Sequence, residues 1–312
     1  MLTHLLPHLH DTTSNDSTFC EACAHLRPAA PRVTVVIPTL NEALNVGWVL
    51  HRIPRDTYEV ILVDGNSVDA TIEVARSARP DIRVLTQDAC GKGAALAIGL
   101  EAATGDIAVI IDADGSMDPA EIPAFVGALL AGADVVKGCR SAPAGGSSDL
   151  TILRTAGNWG LTFLTNRLYH STWRELCYGF AAFWTDVLPM LGIHDLAAPD
   201  GPGRPRIPWS NSQMTYGHGF EIEALLFCRS KRAGLRVAEV FSFEHERRNG
   251  KTNLCTWRDG WRVLTAVRRE FSYSFVGEIH RHLRSYPILP YLHAVNGRLQ
   301  GQREIALVGN RL

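Results

Sequence analysis

The sequence predicts an α/β domain: a doubly wound, mainly parallel sheet with helices on both faces. Three observations lead there. Short runs of β-branched and aliphatic residues alternate with helical stretches through about residue 140, the pattern of repeated βα units. Those runs end in polar, carboxylate-bearing turns at Asn41-Glu42, Asp64 and Asp112, the edge where open α/β sheets bind ligands. The composition, 46% hydrophobic and 20% charged over 312 residues, is ordinary for a globular chain of one large α/β domain or two small ones.

Residues 1–30 read as a mobile tail ending in the proline-rich Arg27-Pro28-Ala-Ala-Pro31. A domain is expected over 31–270 and a C-terminal extension over 271–312. The first strand is Arg32 to Ile37-Pro38. Thr39-Leu40-Asn41-Glu42 follows, then an amphipathic helix through Val46, Val49 and Leu50. Locally, Asn41-Glu42 also reads as a helix cap with a first-turn acid. The second strand, Tyr58 to Val63, closes in Asp64-Gly-Asn-Ser67-Val-Asp69. Asp64 is placed to accept a hydrogen bond from a base or ribose, and Asp69 to cap the next helix. A third strand, Ile82 to Leu85, leads to Gly91-Lys92-Gly93 at a helix start, an arrangement suited to an anion. It is not a Walker A loop, because the spacing is wrong and no Ser or Thr follows the lysine.

The central strand, Ile107 to Ile111, ends in Asp112-Ala113-Asp114-Gly115. Alternate side chains of an extended chain point the same way, so both acids can reach out from one strand end. Two such carboxylates repel unless a cation or ligand shares them, and hard oxygen ligands suit Mg²⁺ or Mn²⁺ holding a phosphate. Alone, the pattern also reads as a strand followed by an Asp-rich turn and the helix start at Asp118-Pro119. A helix is expected from Pro119 to about Ala131. A fifth strand, Ala133 to Val136, runs into Lys137-Gly-Cys-Arg140.

Further on, 141–149 is a loop of small residues and Ile152 to Tyr169 a helix carrying Arg154, Asn158, Asn166 and Arg167. Trp173 to Phe180 is a turn into a buried or edge strand, and 197–210 is an insertion or lid. A helix beginning near Gly217 ends near Gly234, and Arg236 to Val240 is a strand. The loop His245-Glu-Arg247-Arg248-Asn-Gly-Lys251 follows, a basic surface or a phosphate contact. The helix Thr256 to Phe271, with Trp257 and Trp261, is expected to pack on the domain or lie on a membrane surface.

The totals exclude several classes. The net charge of −1 gives no pull toward nucleic acid. Seven scattered cysteines point to reduced thiols in a cytoplasmic protein. Cys20-x-x-Cys23 near His25 has no second pair with which to build a zinc site. No apolar run approaches the roughly 18–20 residues of a membrane span, and the first 30 residues lack a signal-peptide core.

The ordered motifs Val36-Ile-Pro-Thr-Leu-Asn-Glu42, Leu62 to Thr71, Gly91-Lys-Gly93, Asp112-Ala-Asp-Gly115, Gly138-Cys-Arg140, Tyr178-Gly-Phe180, Gly219-Phe-Glu-Ile-Glu223 and His245 to Leu254 resemble family 2 glycosyltransferases of GT-A fold. Among these, the chain is most similar to bacterial relatives of dolichol- or polyprenol-phosphate sugar synthases, over about residues 32–270. The resemblance implies a donor, a nucleoside diphosphate sugar with uridine or guanosine, bordered by Pro38, Thr39, Asn41 and Glu42. It implies Asp64 on the base, Lys92 near the base or diphosphate, Asp112 on ribose and metal, and Ala113 between the two acids. Asp114 binds the metal directly, and His245 completes its shell. Arg140 is implied on the donor, Arg247, Arg248 and Lys251 in the phosphate-facing loop, and Glu221 on the sugar, while Glu223 serves the helix. His218 stands where relatives often carry an acid.

The implied reaction is an inverting displacement, with Asp114, its Mg²⁺ or Mn²⁺, and Arg247 offsetting charge on the leaving diphosphate. A hydroxyl acceptor needs a general base, for which Glu175 is the candidate; a lipid-phosphate acceptor is already anionic and needs none. The lipid reading implies peripheral contact with the inner membrane face through Arg154, Arg167 and the Trp257 helix, and a soluble small-molecule acceptor is the alternative. A nucleotidyltransferase would place a glycine-rich basic loop where Pro38 to Glu42 stands. A non-catalytic binder would lack one of the acids or the basic loop.

Overall fold

The computed structural model describes residues 27–141, 145–197, 216–252 and 254–285, with side chains described through 272. The Cys20–Cys23 pair, most of the expected tail and nearly all of the 197–210 insertion lie outside these residues. Two compact units are distinguished, Met1–Val267 and Arg268–Leu312.

The first unit contains β1 (Val33–Thr39), α1 (Val46–Arg52), β2 (Glu59–Asp64), α2 (Thr71–Ala78), β3 (Arg83–Thr86), α3 (Lys92–Ala102) and β4 (Ile107–Ile110). A 3₁₀ turn, Pro119–Glu121, leads into α4 (Ile122–Leu130), so the expected helix starts three residues late, with Asp118 accepting from the Ala120 N–H at 3.0 Å. There follow β5 (Val135–Cys139), β6 (Gly146–Ser147), α5 (Ile152–Tyr169), β7 (Ala181–Trp184), a second 3₁₀ segment (Thr185–Leu191), α6 (Ile193–Ala197), α7 (Ile222–Arg232), β8 (Val237–Phe241) and β9 (Phe243–Glu244). Helix α8 spans Thr256–Ser285.

The main sheet has the order β3-β2-β1-β4-β7-β5-β8. Every pairing is parallel except those of β7, which runs antiparallel between β4 and β5. The Trp173–Phe180 turn thus feeds an interior strand, and Ala181, Ala182 and Phe183 are wholly buried there. Strands β1, β2 and β4 read as near-continuous apolar runs because both faces are covered. Val35, Val36, Ile61, Leu62, Ile107 and Val109 have no exposed surface, and each such side chain contributes about 1.5–3 kcal/mol through burial. One residue of α3 must be small: a Cβ on Gly99 would lie 2.3 Å from a methyl of Val36. Among the described residues no helix is long and apolar enough to cross a membrane.

Candidate active site

The turns after β1, β2 and β4, the start of α3, the start of α7 and the loop after β9 meet at the carboxyl edge of the parallel strands. Asp112 and Asp114 follow β4 as the pattern predicts. Each carboxylate is held by a cation from elsewhere in the chain. Lys92, the first residue of α3, places Nζ 2.7 Å from Asp112 and 2.7 Å from Glu223 of α7. The backbone at Gly179 makes room for that contact, because a Cβ there would lie 2.6 Å from Glu223 Oε1 and 2.8 Å from Lys92 Nζ. Burial opposes the charge of Lys92, yet Asp112 and Glu223 together raise its pKa well above the ordinary lysine value. Burial also pushes the Asp112 carboxyl up to about 6; Lys92 opposes that rise, while Asp114 and Glu223 add to it. Glu223, expected only to support its helix, therefore belongs to the crevice. Its signal was the two-residue offset from Glu221, which turns the side chains to different sides of a helix.

Asp114 Oδ1 accepts from the Ser116 N–H and hydroxyl at 2.9 and 2.7 Å, and Oδ2 lies 3.3 Å from Arg247 Nη1. Arg247 also pairs with Glu42 and donates from Nε to the Asn249 carbonyl at 2.8 Å. Glu42 is not a first-turn acid of α1, which begins at Val46; its other oxygen accepts from Asn45 Nδ2 at 2.6 Å. Asn41 sits at φ 56°, its N–H donating to Ser67 Oγ at 2.8 Å, which ties the first turn to the second. Thr39 Oγ1 donates to the Ile37 carbonyl at 3.2 Å within the Pro38 segment. Asp64 accepts from the Ser67 N–H at 2.9 Å, while its Oδ1 and the nearby Gln87 Oε1 are buried without a hydrogen-bond partner.

Other expected residues sit differently. Glu175 is wholly buried, and Arg140 donates to it from the backbone at 2.7 Å and from Nε at 2.8 Å. Asn158 of α5 donates to it at 2.8 Å. A general base needs a lone pair within reach of its substrate, and this placement departs from that expectation. Arg140, expected on the donor, spends its guanidinium on Glu175, on Glu244 at 2.7 Å and on the Cys177 carbonyl at 2.7 Å. Glu221 is also wholly buried, accepting from the Gly217 N–H at 3.0 Å and paired with Arg262 at 3.1 Å, a placement below the crevice rather than against a sugar. Arg248 stacks over the Trp48 ring at 4.6 Å. Lys251 is exposed. His218 is buried, with Nε2 3.2 Å from the Leu196 carbonyl.

His245 is tied through its N–H to the Ser116 carbonyl at 2.8 Å, and its ring lies 4.9 Å from that of Phe243. Among the described residues no group of three or more His, Cys, Asp or Glu side chains is arranged to hold a metal, so the expected trio of Asp112, Asp114 and His245 is not gathered. The chemistry of the two carboxylates still fits a hard divalent ion, since Mg²⁺ characteristically takes one or two carboxylates and completes its shell with substrate phosphates. At the start of α3 the Gly93 N–H donates to the His218 carbonyl at 2.8 Å, so part of that helix terminus is already satisfied.

The comparisons agree with this architecture. The glycosyl transferase family 2 model matches residues 34–191, half of the chain. An uncharacterized glycosyltransferase of Mycobacterium tuberculosis is 44% identical over 117 residues, 38% of this chain; the match spans about half, 52%, of that relative. The undecaprenyl-phosphate mannosyltransferase of Micrococcus luteus is 29% identical over 249 residues, 76% of this chain and 93% of that protein. Among solved structures, glucosyl-3-phosphoglycerate synthase from M. tuberculosis in complex with Mn²⁺, UDP-glucose and phosphoglyceric acid superposes with a TM-score of 0.58 at 22% identity, covering 80% of this chain and 83% of that one. That likeness establishes the GT-A fold. With the family model spanning half of its length, the chain belongs to glycosyl transferase family 2.

Proposed function

We propose that this enzyme transfers a hexose from a nucleoside diphosphate sugar to a polyprenol phosphate, with Asp112 and Asp114 as ligands of Mg²⁺ or Mn²⁺. The observation that carries the donor half is the pair of carboxylates at the end of β4, each neutralised by a cation from a distant segment. Such a site is ready to exchange its partners for a diphosphate and its counter-ion. The unpartnered Asp64 Oδ1 supports a contact with a base N–H, because a buried acceptor without a donor costs about 1–3 kcal/mol until one arrives. Pro38, Thr39 and Asn41 border the same turn. Lys92 and Arg247 are the cations available to the leaving diphosphate, with Lys251 at the rim. The metal, when bound, offsets the negative charge that develops on the departing diphosphate.

The acceptor half rests on the M. luteus relative, which matches over nearly its whole length and is named for an undecaprenyl phosphate. The burial of Glu175 supports it, since an acceptor already anionic at neutral pH needs no general base. Glu175 and Arg140 then act as a positioning pair beneath the site, and Glu221 with Arg262 as another.

The test is transfer of labelled sugar from GDP-mannose and UDP-glucose to undecaprenyl phosphate, with 3-phosphoglycerate as a soluble acceptor in parallel. Metal-dependent appearance of label in the lipid phase, lost on chelation, is the expected result. Label in phosphoglycerate alone would replace the acceptor, and transfer that persists after chelation would remove the metal.

A further inference from the structure

Buried acceptors stand side by side where β2 and β3 end. Asp64 is 2% exposed and Gln87 6% exposed. Asp64 pairs with Thr86 in the β2–β3 register, and the Gln87 N–H donates to the Asp64 carbonyl at 3.2 Å. Gln87 therefore leaves β3 directly beside Asp64. Asn66 Nδ2 donates to the Gln87 carbonyl at 3.2 Å, which fixes that backbone from the second turn. Gly65 leaves room for the amide: a Cβ there would lie 3.1 Å from Gln87 Nε2 and 3.3 Å from the Thr39 carbonyl oxygen. One Asp64 oxygen is satisfied by the Ser67 N–H at 2.9 Å. The other, Oδ1, and Gln87 Oε1 have no donor among the described residues. A buried acceptor costs free energy until a donor reaches it, so an unpaired one in a ligand crevice marks where a ligand N–H belongs.

We propose that Gln87 is a specificity-determining residue that, with Asp64, reads guanine in the donor nucleotide: Asp64 Oδ1 accepts the N1–H and Gln87 Oε1 the 2-amino group. This rests on the nucleoside diphosphate sugar reading of the crevice. Base chemistry selects among the nucleotides. Guanine carries N1–H and the 2-amino N–H on adjacent atoms of one edge, so it brings a donor to each orphaned oxygen. Uracil, glycosylated at N1, offers the single N3–H between two carbonyls, and would set one of them against Gln87 Oε1. Cytosine and adenine offer an exocyclic amine beside a ring nitrogen that is itself an acceptor, and that nitrogen would face the other oxygen. A site with buried acceptors discriminates against an analogue that lacks the matching N–H, because the acceptor is then left unpaired.

The experiment is calorimetric titration of the full chain, with Mn²⁺ present, using GDP, inosine diphosphate and UDP. Inosine diphosphate is GDP without the 2-amino group. The wild type is expected to bind GDP about tenfold more tightly than inosine diphosphate, the loss that an unpaired buried acceptor predicts, and to bind UDP more weakly than GDP. Gln87→Met keeps the length of the side chain and removes its polar atoms, while the backbone hydrogen bonds of residue 87 stay in place. That variant is expected to bind GDP and inosine diphosphate equally. A purely structural role for Gln87 would not equalise them, since it would weaken both alike. Equal binding of the two by the wild type overturns the proposal without recourse to any variant. A preference for GDP that persists in Gln87→Met overturns the assignment to Gln87. UDP bound more tightly than GDP overturns the guanine reading and turns the amide about, Nε2 on a pyrimidine carbonyl, with the donor site intact. A wild type that binds none of these nucleotides, with or without Mn²⁺, refutes the donor site itself.

Discussion

The molecule carries two charged clusters of similar composition and opposite character. At the end of β4, Lys92, Asp112, Asp114 and Arg247 each keep between 12% and 25% of their side-chain surface exposed. Beneath the sheet edge, Glu175 is wholly buried against Arg140, which also holds Glu244. In the first cluster water can follow an exchanging ion, so a carboxylate can change partners at modest cost. In the second, every guanidinium nitrogen of Arg140 has an acceptor in the protein, and losing one leaves an uncompensated buried charge. Acids and arginines on strand-end loops are thus of two kinds, and solvent access distinguishes them.

The largest effect that could break this contrast is at Glu175. Glu175→Ala is expected to cost about 3–5 kcal/mol of stability, because Arg140 is left buried without its main partner. Urea unfolding measures it; a variant of near wild-type stability that has lost only turnover would return Glu175 to the role of a base. Next is Asp114→Asn, expected to lower sugar transfer by about 10²–10³-fold while stability stays within about 1 kcal/mol. Assays of transfer and of thermal midpoint on the same preparation separate the two, and chelation is expected to reproduce the loss in the wild type.

A smaller effect concerns Lys137, buried on β5 with its ammonium 4.9 Å from the Phe227 ring centroid and 5.3 Å from that of Trp173. Burial lowers its pKa, against the pull of Glu239 at 3.5 Å and of Glu175. The unfolded chain keeps its proton up to about pH 10.4, whereas the folded protein releases it earlier. Over that window the unfolded state binds more protons, so this residue makes stability rise with pH. Lys137→Met is expected to remove that alkaline contribution, which midpoints followed from neutral to alkaline pH will show. The smallest effect is Arg32→Ala, which breaks an exposed pair with Asp106 at 3.3 Å. No change beyond the error of the unfolding measurement is expected, and a clear loss would mean that exposure does not set the cost of a pair here.

Much of the fold was legible before any coordinates. Strands β1, β2, β4 and β5 announce themselves as apolar runs, and α5 was bounded at Ile152 and Tyr169 by its polar flanks. Asp64, Asp112 and Asp114 were legible because a buried strand that ends in an acid leaves few places for that acid except the sheet edge. The direction of β7 was not. Ala181–Trp184 is a short apolar run with no local mark of which neighbours it joins, and its antiparallel place between β4 and β5 follows from the long return of residues 140–180. The covered face of α5 also stayed hidden, because periodicity shows that a helix has two faces without showing which one the domain covers.

The sequence by itself determined the α/β class, the strand ends that carry carboxylates and the family motif order, all of which depend on residues near one another in the chain. Tertiary structure alone decided that Lys92 joins Asp112 to Glu223, that Arg247 bridges Asp114 and Glu42, and that Arg140 and Glu221 are spent on buried partners. The reason is physical: whether a charge is available for chemistry depends on its solvation and its nearest opposite charge. For these residues both are set by segments 20 to 205 positions away.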